Sequence, residues 1–207
     1  MRRRDPVAER ESAGANTPSP SRHCDDQSTR RKVVALGALV GLGFASGITR
    51  VLADPADERP QEGDQLVAID AAEYAALSPS DVRASPILAW PMEPASNLVR
   101  KGSRLNKVVL VRLDPASLAV PTRGRSADGI VANSAICPHA GCEVNGWVAE
   151  QRILECPCHN SRYDPSAAAA IIEGPTTRAL AALPLKITNG KLAVAGPFIG
   201  RLGIAPV

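Results

Sequence analysis

Short apolar runs separated by polar turns occupy the later two thirds of the chain and predict β-strands rather than helices. The stretch 107–113 is dominated by Val and Leu, which is typical of a buried strand. Similar runs predict strands at 66–69, 129–136, 152–154, 183–187 and 191–195. The last two flank Asn189-Gly190, a dipeptide that favours a tight hairpin turn. Only residues 71–77 predict a helical turn or two in this region. The pattern therefore predicts an all-β fold of antiparallel strands.

The N-terminal quarter of the chain has a different pattern. Residues 1–32 are polar and carry too little apolar surface to fold, so we expect a disordered basic leader. The apolar run 33–53 follows a paired arginine at 30–31, an order that resembles a twin-arginine export signal. As a helix this run would be about 31 Å long, enough for a membrane anchor. We expect a retained anchor, with cleavage after Ala53 as the alternative, and the polar residues 54–64 predict a hinge or linker.

Composition limits the rest of the chain to one domain of ordinary size. Hydrophobic residues make up 44% of the sequence but aromatic residues only 3%, so the core must be built from Val, Ile, Leu and Ala. We expect this domain to span residues 65–207, with a Pro-rich, irregular insertion at 78–106. The net charge is +3, and no basic stripe with interleaved aromatic residues is present, so nucleic acid is not an expected partner.

The candidate chemistry lies in two short runs, 137–142 (CPHAGC) and 156–161 (CPCHNS). Together they hold four of the five cysteines and two of the three histidines of the chain. Each run offers one thiolate and one imidazole, with one additional cysteine. The predicted ligands are Cys137 with His139, and Cys156 with His159. A set of two cysteines and two histidines indicates a [2Fe–2S] cluster with two Cys on one iron and two His on the other.

Two other interpretations of these runs explain less. A structural zinc site can use similar spacing, but it leaves the two additional cysteines without a role. A plain disulfide framework leaves His139 and His159 without one. The remaining histidine, His23, lies in the leader, outside the two runs, and is interpreted as an ordinary structural residue.

The two runs resemble the motifs of the Rieske iron–sulfur protein family, in its high-potential, disulfide-containing branch. The family pattern is C-T-H-x-G-C followed by C-P-C-H-G-S-x-Y, and the resemblance covers about the last half of the chain. It implies a Rieske-type antiparallel β sandwich with the cluster-binding loops at one tip, here preceded by the N-terminal hydrophobic helix. It also implies one [2Fe–2S] cluster per chain.

The resemblance further implies roles for residues around the cluster. Cys142 and Cys158 would form a disulfide between the two loops. Ser161 would donate its hydroxyl to a bridging sulfide, and Tyr163 its phenol to a cysteine sulfur, which raises the reduction potential. Gly174-Pro175 resembles the proline loop that covers the third side of the cluster.

The chain departs from the family pattern at three positions. Pro138 stands where Thr is usual, and Asn160 stands where Gly is usual. If position 160 requires a positive φ, Asn is the best substitute for Gly. Ala140 occupies a position that is often a larger Leu, so we expect a more accessible docking surface.

By resemblance, the implied function is one-electron transfer as the iron–sulfur subunit of a quinol-oxidising, cytochrome bc-like complex. An exposed imidazole, His139 or His159, would accept a hydrogen bond from a quinol and take its proton. Cytochrome b with its quinol, and a c-type cytochrome or another redox subunit, would be partners, at the periplasmic face of a bacterial inner membrane. The alternative is a Rieske subunit, or a free-standing periplasmic carrier, of another oxidoreductase such as an arsenite-oxidase-like enzyme. A Rieske oxygenase is excluded as the catalytic subunit, because only His23 remains for its second iron site.

Overall fold

Residues 54–204 are described by a computed structural model, and their strands form two antiparallel β-sheets. The predicted leader and hydrophobic helix fall in 1–53, outside the described residues. Within 54–204, no helix is long and apolar enough to cross a membrane.

The described residues form eleven short strands and a few helical turns. The strands are β1 (Gln65–Ala68), β2 (Ile87–Glu93), β3 (Leu98–Val99), β4 (Val108–Arg112), β5 (Ile130–Ser134), β6 (Gly146–Val148), β7 (Ile153–Cys156), β8 (Ser161–Asp164), β9 (Ala170–Glu173), β10 (Leu185–Thr188) and β11 (Lys191–Val194). The single α-helical turn is α1 (Val120–Arg123), and 3-10 helices lie at Pro55–Asp57, Pro79–Asp81, Arg104–Asn106, Pro115–Ser117 and Pro165–Ala167. The all-β, antiparallel prediction is therefore confirmed for these residues.

The strand order of the two sheets shows where the two Cys/His runs lie. The larger sheet has seven strands in the order β10-β11-β1-β2-β4-β5, with β3 paired to β2. The smaller sheet has four strands in the order β6-β7-β8-β9. The first run lies in the connection from β5 to β6, and the second lies between β7 and β8. The second run thus belongs to the smaller sheet, whereas the first lies in the connection between the two sheets.

Most of the predicted strands are present, because local pattern and burial agree there. In β4, Val108, Val109, Leu110 and Val111 are all buried, as its continuous apolar run predicted. In the β10–β11 hairpin, Asn189 and Gly190 have φ of 52° and 72°, the two positive angles that an Asn-Gly turn of this type requires.

The helical prediction for residues 71–77 is wrong. Ala76 instead forms an isolated bridge with Val67, and the Leu77 amide donates to the carbonyl of Leu66 at 2.8 Å. These residues therefore pair with β1 as an extended segment. Tertiary pairing outweighs the weak helical propensity of so short a stretch.

The prediction of an irregular segment at 78–106 is also wrong in part, because β2 lies in this range between β1 and β4. Pro91 obscured the strand, since proline removes a ladder hydrogen bond. Here β2 changes partner around Pro91, from β4 at residues 87–89 to β3 at Met92. The carbonyl of Pro91 still accepts from the Arg100 amide at 2.8 Å. A proline is tolerated where the neighbouring strand changes.

Residues 54–64, predicted as a linker, are docked onto the larger sheet by a buried ion pair. Arg100 is 4% exposed and Asp64 is 3% exposed. The guanidinium of Arg100 donates to both carboxylate oxygens of Asp64, at 2.7 and 3.3 Å, and to Glu58 Oε2 at 3.1 Å. This guanidinium also reaches the carbonyl of Pro55 at 3.2 Å.

Replacing Arg100 by Met is expected to lower the free energy of unfolding by roughly 3–5 kcal/mol, because it leaves the Asp64 carboxylate buried without a cation. Chemical denaturation of the purified protein would measure the change. Lys186→Met is the control, since its partner Glu62 is 66% exposed and such surface pairs contribute little. Equal unfolding midpoints for the two variants would contradict the expected role of the buried pair.

Candidate metal centre

The first Cys/His run forms a tight loop directly after β5. The amide of Gly141 donates to the Cys137 carbonyl at 2.9 Å, and the amide of Cys137 donates to the Cys142 carbonyl at 2.8 Å. Gly141 has a φ of +72°, a conformation that favours glycine. The loop therefore holds Cys137 and His139 in place through its own backbone.

The second run is the hairpin loop between β7 and β8. Cys156 ends β7 and pairs with Ser161, the first residue of β8. Asn160 has a φ of 55°, so this position does require a left-handed backbone. The replacement of glycine by asparagine is compatible with the loop for this reason.

The predicted disulfide between Cys142 and Cys158 is present and joins the two loops. Its α-carbons are 6.5 Å apart, and the two residues are 16 positions apart in the chain. The sulfur of Cys156 and the two disulfide sulfurs lie within 4.8 Å of one another. Since two of these three sulfurs are oxidised, only Cys156 offers a thiol there.

The structure brings the four predicted ligands together at the linked loops. Cys137 and Cys156 are free thiols, and both are buried. The rings of His139 and His159 are perpendicular, with centroids 4.7 Å apart. His139 is partly buried, whereas His159 is exposed. The sulfur donors are thus inside the protein, and one imidazole reaches the solvent.

Two buried polar atoms at the loops have no hydrogen-bond partner among the described residues. They are Nδ1 of His139 and Oγ of Ser161. Burying a polar atom unpaired costs roughly 1–3 kcal/mol, so such atoms usually have a partner. A [2Fe–2S] cluster held by the two loops would supply both partners, iron for the imidazole nitrogen and sulfide for the hydroxyl. With two thiols and two imidazoles nearby, the residues fit this group.

Tyr163 contacts the first cysteine, as predicted. Its hydroxyl lies 3.2 Å from the sulfur of Cys137, and its side chain is fully buried. Burial and the neighbouring Cys137 raise the pKa of the Tyr163 phenol, so it remains a hydrogen-bond donor at neutral pH. Thr176, which the sequence did not single out, acts in the opposite direction and lowers the pKa of the same phenol.

The two thiols differ in acidity. Burial raises the pKa of Cys137, but hydrogen bonds from Tyr163 and from the backbone of His139 outweigh burial and lower this pKa. Burial and the charge of Cys137 raise the pKa of Cys156. Cys137 is therefore the thiol of the pair that ionises first.

The backbone at Gly174 lies against the second loop. A Cβ placed on Gly174 would be 2.5 Å from Cα of Ser161 and 2.9 Å from the carbonyl oxygen of Asn160. Gly174 also has a φ of +99°. Glycine is required here both by the close approach and by the backbone conformation.

Comparison with known proteins gives the same family. A family model described as "Rieske [2Fe-2S] domain" matches residues 93–184. A protein of Haloferax mediterranei named "Putative respiratory nitrate reductase subunit Rieske" is 40% identical over 107 residues, covering 50% of this chain and 47% of the relative.

Two further relatives are named "Cytochrome bc1 complex Rieske iron-sulfur subunit". That of Mycobacterium tuberculosis is 35% identical over 106 residues, covering 48% of this chain and 25% of the relative. That of Streptomyces lividans is 32% identical over 138 residues, covering 62% of this chain and 79% of the relative. The chain thus spans less than half the length of the Haloferax and Mycobacterium relatives.

The family match, the relatives and the geometry of the two loops agree on the cofactor. A [2Fe–2S] cluster is the cofactor of this protein, and a disulfide joins the loops that would hold it. The chain therefore belongs to the Rieske iron–sulfur protein family and is an electron carrier of that family.

Proposed function

We propose that this chain is the high-potential iron–sulfur subunit of a quinol-oxidising complex of the cytochrome bc type. The observation that carries the proposal is the exposed imidazole of His159, which lies edge-on to His139 beside two buried thiols. This arrangement offers a hydrogen-bonding group to the solvent next to a redox centre. A bound [2Fe–2S] cluster takes up and releases one electron.

The proposed ligand assignment follows from the donor chemistry of the two loops. Cys137 and Cys156 would bind one iron, and His139 and His159 the other. Neutral imidazoles on one iron leave the centre less negative than four thiolates would, and this raises the potential. The Cys142–Cys158 disulfide keeps the two loops together and persists in an oxidising compartment.

The imidazole of His159 is the proposed contact with the quinol. It would accept a hydrogen bond from a quinol hydroxyl at the ring nitrogen that does not bind iron. That nitrogen would then hold the proton as the quinol is oxidised. Ala140, exposed next to His139, leaves room for the quinol head group.

The partners and the location are proposed on the same basis. The names of the Streptomyces and Mycobacterium relatives support a cytochrome b with its quinol site, and a c-type cytochrome as the acceptor. The disulfide and the twin-arginine-like leader support the periplasmic face of a bacterial inner membrane. The apolar run 33–53 would be its anchor, or would be removed if the chain is cleaved near Ala53.

A second candidate function has an observation of its own. The Haloferax relative is the most similar of the three by identity, and its name places it with a nitrate reductase. This supports a Rieske subunit, or a free-standing periplasmic carrier, of another oxidoreductase of the arsenite-oxidase-like kind. In that role His159 would face a protein partner rather than a quinol.

Affinity purification of the full chain from detergent-solubilised membranes would separate these functions. We expect b-type and c-type haem to co-purify, and the reduced Rieske EPR signal to appear on addition of a short-chain quinol. Co-purification of a molybdenum-containing subunit without haem b, and no response to quinol, would instead establish the second candidate.

Replacing Ser161 by Ala, or Tyr163 by Phe, is expected to lower the midpoint potential while the cluster still assembles. Both hydroxyls would donate hydrogen bonds that strengthen when the centre gains an electron. A bond stronger by about 1.4 kcal/mol in the reduced state corresponds to about 59 mV for a one-electron couple. Protein-film voltammetry would measure the shift, and an unchanged midpoint in both variants would refute these roles.

A further inference from the structure

The carbonyl of Gly141 is held by a side chain from a distant part of the sequence. Nη2 of Arg104 donates to this oxygen at 2.5 Å, across 37 positions of the chain. Arg104 begins the 3-10 helix Arg104–Asn106, and Gly141 is buried between His139 and Cys142. The guanidinium therefore hydrogen-bonds to the first Cys/His loop, residues 137–142, which we call the first ligand loop.

A second side chain covers the α-carbon of the same glycine. A Cβ placed on Gly141 would lie 3.2 Å from Cδ1 of Ile204. Ile204 is 54% exposed, so it covers Gly141 with one side and faces solvent with the other. The first ligand loop is thus held by Arg104 on its carbonyl and by Ile204 on its α-carbon.

The segment that carries Ile204 is itself fixed to the domain. Ile199 and Ala182 exchange two backbone hydrogen bonds, at 2.9 and 2.8 Å. The guanidinium of Arg178 donates to the carbonyl of Gly203. A Cβ on Gly203 would lie 3.0 Å from Cδ2 of Leu105, the residue after Arg104. The C-terminal segment and the 3-10 helix therefore contact each other as well as the loop.

We propose that Arg104 is a positioning residue of the electron-transfer site, and that Arg104 and Ile204 together clamp the first ligand loop. This inference rests on the proposed electron-transfer function. The clamp holds the turn in which the amides of Gly141 and Cys137 are hydrogen-bonded. The guanidinium also places a positive charge at the loop, which favours the state with one more electron and raises the midpoint potential.

Arg104→Gln tests the charge, because glutamine can still donate a hydrogen bond. We expect a lower midpoint potential than in the wild type, and a smaller shift for Arg104→Lys, which keeps the charge. Arg123→Gln is the matched control, because Arg123 is also exposed and donates through Nη2 to a backbone carbonyl, that of Leu118 at 3.0 Å. The difference between the variants should shrink at high ionic strength, since exposed charges are screened.

Hydrogen exchange of the apoprotein tests the clamp without the cluster. We expect faster exchange of the Gly141 and Cys137 amides in Arg104→Gln and in Ile204→Ala than in Arg123→Gln. Loss of cluster loading in Arg104→Gln alone, with Arg123→Gln loaded normally, would also support the clamp.

The inference is overturned if Arg104→Gln and Arg123→Gln have the same potential and the same loop exchange. That outcome differs from a failure of the proposed function, in which the wild-type protein itself would show no reversible one-electron couple.

Discussion

His159→Ala is expected to abolish the Rieske-type EPR spectrum of the reduced protein. The iron that His139 and His159 are proposed to bind would then have an open position, which water or another group would fill. The disulfide and the buried thiols remain in this variant, so the fold of the loops should survive while the mixed-ligand centre does not. EPR spectroscopy and iron and sulfide analysis of the purified variant would check this.

Asn160→Gly is the matched control in the neighbouring position. Asn160 has a φ of 55°, which glycine adopts without strain, so this variant should keep its cluster and spectrum. A surviving Rieske spectrum in His159→Ala would show that another residue binds the iron. Stoichiometric zinc in place of iron in the wild type would revive the zinc interpretation.

The fold was predictable where the pattern along the chain is strong. The apolar run 107–113 became β4 (Val108–Arg112), and Asn189-Gly190 became the hairpin turn, because burial and turn geometry there follow from neighbouring residues. The strand β2 was hidden by Pro91, whose tolerance depends on which strands lie on each side. Ala76 and Leu77 pair with β1 through contacts that no local propensity encodes.

The candidate site was also predictable only in part. Its proposed ligands and its disulfide lie in two short motifs, so their types and spacing carried the prediction. Its supporting contacts come from elsewhere: Arg104 reaches Gly141 across 37 positions, and Ile204 reaches it from near the end of the chain. An isolated arginine or isoleucine has no signal in a sequence without knowledge of the fold.

Gly174→Ala is expected to lose most of its bound cluster. The new Cβ would be 2.5 Å from Cα of Ser161, and the contacting atoms belong to the backbone of the second ligand loop. Neither backbone can rotate out of the way, so the segment at Gly174-Pro175 must move off the loop. Ser161 then becomes exposed to water, and the sulfide that its hydroxyl is proposed to bind loses its cover. Iron content and the rate of cluster loss to a chelator would measure this.

Gly63→Ala is the control that distinguishes the steric clash expected in Gly174→Ala from the backbone strain of a positive φ. Gly63 has a φ of +94°, close to the +99° of Gly174, but a Cβ there would meet nothing within 4 Å. Both variants carry the strain of a positive φ, roughly 1–3 kcal/mol, and should lose stability by a similar amount from that source. Only Gly174→Ala should release the cluster. If both variants lose it equally, strain alone is responsible, and the close approach of Gly174 to Ser161 does not protect the centre.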